Sequence, residues 1–199
     1  MPEGRVLETL AAWDQAAFFW INQSWANPVL DRILPFLTDF DHWRIPVVVC
    51  LLALAVFGGT KGRVTVLILV VVITLSDQTA SALIKPLVGR VRPCNALEDV
   101  RLLIPRSGAF SFPSSHAANI TAAALVLSVR YGRLKPVWIA VAVLVCLSRV
   151  YVGVHYPVDV LGGAGVGLAA GGLVLGIHRW AAPRVSWPRR RSAPENPEQ

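Results

Sequence analysis

The sequence predicts an all-α fold: a polytopic membrane helix bundle of about five transmembrane helices, with amphipathic helices at the bilayer surface before them. Composition is the first reason. The 199 residues are 54% hydrophobic and 16% charged, with mean hydropathy +0.54, whereas soluble domains carry about 25% charged residues. The second is that the apolar residues come in blocks, roughly 44–59, 64–84, 114–131, 136–152 and 157–178, each near the ~20 residues that a bilayer core requires. The third is that basic residues gather in alternate connections.

Residues 1–43 form the first expected region. Trp13, Phe18, Phe19, Trp20, Trp25, Ile33, Phe36 and Trp43 alternate there with Asp14, Asn22, Asp31 and Asp39. Leu30, Ile33, Leu34 and Leu37 have helical spacing. Two amphipathic helices broken near Asn27-Pro28 fit this pattern, lying on the membrane interface or packing on the protein. Residues 44–180 form the transmembrane domain, and 181–199 read as a basic, Pro-rich, disordered cytoplasmic tail. In the last block Gly163, Gly167 and Gly171 recur every fourth residue, a stripe that lets a neighbouring helix come close. Asp77 lies inside the second block and reads as a structural partner for a buried Arg or for polar neighbours.

With five spans, Lys61 and Arg63, then Arg130, Arg133 and Lys135, then Arg179 and the Arg189–Arg191 run fall on one side. That side is expected to be cytoplasmic. The expected residence is a bacterial inner membrane, with the C-terminus inside. Residues 1–12 lack the basic start and apolar run of a secretory signal, so the spans themselves are expected to drive insertion. The net charge of +7 reads as flanking charge, and no nucleic-acid partner is expected. Cys50 and Cys146 lie in apolar runs and Cys94 in a polar loop, so no disulfide framework or zinc pattern is visible.

Three polar clusters interrupt the oil on the opposite side: Lys85 to Pro93, Phe112 to His116, and Ser148 to Asp159. Ser114 and Ser115 open an apolar span, where free N–H groups and a hydroxyl make an anion site. Alone this would be an ordinary cap worth ~1 kcal/mol. His116 beside it can donate a proton to a leaving oxygen. His155 and Asp159 are four apart, which puts the carboxylate near one ring nitrogen and frees the other as nucleophile or base. The same pair would offer two metal ligands, but no third stands nearby. Lys85, Arg92 and Arg149, with Arg90 close by, supply the cations that a phosphoryl group in transfer requires.

These clusters resemble the type 2 phosphatidic acid phosphatases (PAP2), which share a site with vanadium haloperoxidases. The family pattern K-x6-RP, PSGH and SR-x5-H-x3-D reads here as Lys85-x6-Arg92-Pro93, Pro113-Ser114-Ser115-His116 and Ser148-Arg149-x5-His155-x3-Asp159. The one departure is Ser115 in place of Gly, which in the family could serve a special backbone angle or close approach to the phosphate. The resemblance implies that His155 attacks phosphorus and forms a phosphohistidine, and that Asp159 orients the imidazole. It implies that His116 protonates the leaving group and then activates water. Lys85, Arg92, Ser114, Ser115 and Arg149 would hold the phosphoryl oxygens, with no metal and no cofactor. The expected substrate is a lipid phosphate or pyrophosphate, undecaprenyl pyrophosphate first, then phosphatidate, phosphatidylglycerol phosphate or phosphorylated lipid A. The alternatives are a vanadate-dependent haloperoxidase-like enzyme and a non-catalytic lipid-binding membrane protein.

Overall fold

Hydrocarbon offers no water to backbone N–H and C=O groups, so an apolar run must close its own hydrogen bonds, and the runs here do so as helices. The computed structural model describes residues 2–106 and 108–181. In order come α1 (Pro2–Phe19), running on through a π-helical turn at Trp20–Ser24, then α2 (Leu30–Thr38) and α3 (Phe40–Phe57). After Gly58, α4 (Gly59–Gln78) continues through a π-helical turn at Thr79–Ile84 into α5 (Lys85–Val88). A loop holding α6 (Pro93–Ala96) leads to α7 (Ser115–Arg130), α8 (Lys135–Tyr151) and α9 (Pro157–Ala181). Among the described residues the extended backbone amounts to an isolated antiparallel bridge between Val91 and Phe110.

Four helical segments are long and apolar enough to cross a membrane: Phe40–Phe57, Gly59–Val88, Gly132–Tyr151 and Pro157–Ala181. The expected third span is α7, and it differs from them. It has 16 residues and is the central helix, packed against α4, α8 and α9. Ala117, Ala118, Ala122 and Val126 are fully buried. A helix walled in by other helices meets protein rather than lipid, so small side chains suit it better than a uniformly oily surface.

Two boundaries move from their expected places. Helix α3 starts at Phe40, because the Asp39 side chain accepts from the Asp41 N–H and caps it. The connection expected over Gly58–Arg63 closes at Gly58, leaving Lys61 and Arg63 in the first turns of α4. The expected tail beyond Ala181 lies outside the described residues.

The glycine stripe sets how closely α9 approaches α7. A Cβ on Gly163 would overlap the carbonyl oxygen of Ser114, and one on Gly167 would overlap that of Ala118. Gly163→Ala is therefore expected to cost about 1–3 kcal/mol by overpacking. It should also lower activity, since Ser114 is the N-cap of α7. A thermal melt in detergent checks the first effect.

Of the two alternatives for the N-terminal helices, packing on the protein is seen for one face. Asp14, Phe18, Ile21, Asn22, Leu34 and Thr38 are buried against the protein, while Leu10, Trp13, Trp20, Ile33 and Phe36 face outward. The break near Pro28 is present, with Asn27 Oδ1 accepting from the Val29 and Leu30 N–H groups at the start of α2. Asn22 Nδ2 donates to the carbonyls of Arg101 and Tyr151, and Arg101 NH2 donates to both oxygens of Asp31 at 2.7 and 2.8 Å. These bonds clamp the N-terminal helices onto the backbone at Arg101 and the end of α8, beside Val152, Val154 and Tyr156, which share a core with Phe18, Ile21 and Leu34.

Candidate active site

Helix order brings the three polar clusters to one end. Lys85 opens α5 at the end of the long helix Gly59–Val88, α7 starts at Ser115, α8 ends just after Arg149, and Asp159 lies in the first turn of α9. Backbone bonds join them: the Ser114 N–H donates to the Asp159 carbonyl at 2.9 Å, and Arg92 NH1 donates to the Val154 carbonyl at 3.1 Å. The sequence therefore brings residues 85, 92, 114, 115, 149, 155 and 159 together.

His155 forms the floor, 1% exposed, with Asp159 at 0%. Arg92 NH1 also donates to His155 Nε2 at 3.1 Å. A guanidinium has no acceptor, so Nε2 carries the lone pair and the ring proton sits on Nδ1. Nδ1 faces Asp159 Oδ2 at 3.6 Å, longer than a hydrogen bond and the kind of gap that tightens in a reacting complex. Asp159 Oδ2 itself accepts from the Tyr156 N–H at 2.8 Å.

Burial pushes the His155 imidazole down to about 3, with Arg149 and Arg92 adding to the effect and Asp159 opposing it. The ring is therefore neutral and its lone pair available throughout the physiological range. The same shift bears on stability. Below the ordinary value near 6.5 the unfolded chain takes up a proton that the folded chain refuses, so this contribution is complete above that pH and is lost toward about 3. The thermal midpoint is expected to fall between about pH 7 and about pH 4, and less so in His155→Ala.

Arg92 and Arg149 are 6% and 4% exposed. Arg149 NH1 donates to Thr38 Oγ1 at 2.8 Å. Among the described residues neither guanidinium has a carboxylate partner, and the Nε of each is buried without a hydrogen bond. A buried unpaired cation is expensive; two side by side, with donors to spare, fit an anion with several oxygens.

Lys85 Nζ donates to Ser115 Oγ at 3.2 Å, and that hydroxyl also bonds Ser81 Oγ at 2.7 Å. Ser115 sits in the first turn of α7, and Asp99 is the non-glycine residue with positive φ among the described residues. The position therefore asks for no glycine backbone. Ser115→Gly is expected to change kcat/KM by about tenfold or less: the hydroxyl's bonds to the Lys85 ammonium and to Ser81 are lost, but Lys85 keeps its charge for the phosphate. Steady-state kinetics check this. Ser114 Oγ accepts from the Ala117 N–H at 3.4 Å as the N-cap. His116 follows it and is exposed, near enough to Lys85, Arg92 and Arg149 for their charges to act on it.

Asp77 accepts from Asn119 Nδ2 at 3.0 Å, and Asn119 Oδ1 accepts from Ser76 Oγ at 2.8 Å. Its partner is thus a polar neighbour, not an Arg. Three residues near the site were not singled out by pattern: Thr38, Asp14, and Arg90 in any role beyond that of a nearby cation. Arg90 is gripped by two carboxylates, Asp159 Oδ1 at 2.9 Å and Asp14 Oδ2 at 2.6 Å. The Gly-Arg-Val-Arg-Pro run was the available signal for Arg90; Asp14 and Thr38 had none.

Residues 65–183 match the PAP2 superfamily. A lipid A 4'-phosphatase from Bacteroides thetaiotaomicron is 30% identical over 78% of this chain and 65% of its own length. The undecaprenyl-diphosphatase BcrC of Bacillus subtilis is 33% identical over 80% of each chain. Among solved structures, the transmembrane PAP2-type phosphatidylglycerolphosphate phosphatase of Bacillus subtilis superposes with TM-score 0.67 at 26% identity, covering 91% of this chain and 90% of that one.

Proposed function

This chain is an integral membrane protein of the PAP2 superfamily, and we propose that it hydrolyses a lipid phosphate or pyrophosphate through a phosphohistidine on His155. The observation that carries the reading is the pair of buried guanidiniums, without a carboxylate partner among the described residues, beside a neutral imidazole whose lone pair is at Nε2. Only a group with several anionic oxygens uses all of these at once.

The phosphoryl oxygens would take donors from Lys85, Arg92, Arg149, Ser114 and the N–H groups opening α7. As the phosphate draws Arg92 toward itself, NH1 releases Nε2. Nε2 then forms a bond to phosphorus while the bond to the leaving oxygen breaks, and His116 gives that oxygen its proton. Asp159 stabilises the cationic ring. His116, now neutral, takes a proton from water; the water oxygen bonds phosphorus, the P–N bond breaks, and orthophosphate leaves. Protein cations do the charge neutralisation here. Activity is therefore expected to survive EDTA, and inhibition rescued by a divalent ion would contradict this.

The relatives are named for different lipids, and a substrate panel assigns the headgroup. Undecaprenyl pyrophosphate is our first choice, followed by phosphatidate, phosphatidylglycerol phosphate and phosphorylated lipid A. The test is purified protein in detergent against this panel, with released phosphate measured. Failure to release phosphate from all of them would overturn the reading.

The proposed residence is the bacterial inner membrane with the site facing outward. Supporting it, Lys61, Arg63 and Arg130 sit together at the end away from the site, with Arg130 NH2 donating to the Lys61 carbonyl at 3.1 Å. Lys61 also lies over the Tyr131 ring at 4.8 Å. Basic residues at one end mark the cytoplasmic side. The proposed division keeps 1–43 as an interfacial region over the site, 44–180 as the phosphatase domain and 181–199 as a cytoplasmic tail.

A further inference from the structure

Resting on the phosphatase reading above, we propose that Arg90 and Asp14 are positioning residues that fix the Asp159 carboxylate, and through it His155, for attack. Asp159 has two oxygens to place. Oδ2 accepts from the Tyr156 N–H at 2.8 Å and faces the imidazole at 3.6 Å. Oδ1 accepts from Arg90 NH1 at 2.9 Å. Fixing Oδ1 fixes the plane of the carboxylate, and therefore where Oδ2 points.

Arg90 is itself held on three sides. Its NH2 donates to Asp14 Oδ2 at 2.6 Å, and its guanidinium lies 4.0 Å from the centre of the Tyr156 ring. This occupation separates it from Arg92 and Arg149, whose Nε groups are buried and unbonded. Burial pulls the Arg90 pKa down, but the Asp14 hydrogen bond and both carboxylate charges outweigh it, and the net direction is up.

Asp14 acts twice. Its Oδ1 accepts from the Val158 N–H at 2.9 Å, capping the start of α9 one residue before Asp159. Its Oδ2 shares Arg90 with Asp159. Two carboxylates on one guanidinium leave net negative charge, and that charge faces a ring that becomes cationic when it is phosphorylated. Asp14 is 6% exposed yet belongs to α1, ahead of the matched residues 65–183. The N-terminal helix thus completes the support of the nucleophile.

The test compares the full-length wild-type chain with Asp14→Asn, Arg90→Met and Arg90→Lys in detergent. Each is assayed on whichever lipid phosphate of the panel the wild type hydrolyses, with His155→Ala as the blank and a thermal midpoint for every variant. Asp14→Asn and Arg90→Met are expected to lower kcat by about 10–100-fold with KM within about twofold, the range typical of groups that orient a ligating or reacting side chain. Arg90→Lys should recover part of the loss, since an ammonium can hold one carboxylate but not fork between two. Wild-type kcat in Asp14→Asn and Arg90→Met would overturn the proposal. So would a raised KM at constant kcat, which would make Arg90 a phosphate ligand. A fall in kcat that tracks a fall in thermal midpoint, with Arg90→Lys no better than Arg90→Met, would reduce both residues to scaffolding. If the wild type itself releases no phosphate, the phosphatase reading fails first and takes this proposal with it.

Discussion

His155→Ala is expected to cut phosphate release by at least ~10⁴-fold, the scale on which removing a nucleophile or its base acts in hydrolases, while the protein still extracts and melts like the wild type. The chemical reason is direct. Nε2 is the lone pair presented to the cationic cluster, and Arg92 can only donate to it. Ser114 is buried at the same site, but its hydroxyl is engaged as the N-cap of α7. Folding should survive because removing the ring also removes a group that costs energy to bury and whose Nδ1 is unbonded. Arg92 NH1 keeps the Val154 carbonyl.

His116→Ala is expected to lower turnover of lipid substrates by ~10²–10⁴-fold, the range of general acid–base catalysis. His116 differs from His155 in being exposed, which suits a group that must meet a departing lipid oxygen and then a water. The variant also separates the two half-reactions. With p-nitrophenyl phosphate, whose leaving group needs no proton, the first step should be largely spared and the second should not. A burst of nitrophenol followed by slow turnover is the expected trace. Loss of the burst as well would place His116 in phosphate binding instead of proton transfer.

The membrane spans were legible because oil in blocks leaves the backbone no other way to satisfy itself. Alpha-helix α7 was harder. Its Ala-rich stretch is apolar enough to suggest a span, but its burial among α4, α8 and α9 is a property of the assembled bundle. The polar clusters were legible because polar residues in an oily chain need a reason. Ser115 shows the limit of reading by pattern. Against a family glycine it stands out, and in the fold it is an ordinary helical residue bonded to Lys85 and Ser81. Asp14 and Thr38 were not legible for a different reason. Their partners Arg90 and Arg149 stand 76 and 111 residues away, and no local periodicity encodes a bond of that reach. An Asp in a mixed amphipathic helix reads as its polar face until the fold turns it inward.

The most direct measurement is rapid acid-free quenching of the full chain during turnover of a lipid substrate carrying labelled phosphate, followed by peptide mapping. The account predicts label that is stable to base and lost in acid, on the peptide containing His155 and absent from His155→Ala; in His116→Ala the label accumulates when labelled p-nitrophenyl phosphate replaces the lipid. Label on a serine or a carboxylate, or steady turnover by His155→Ala, would contradict it.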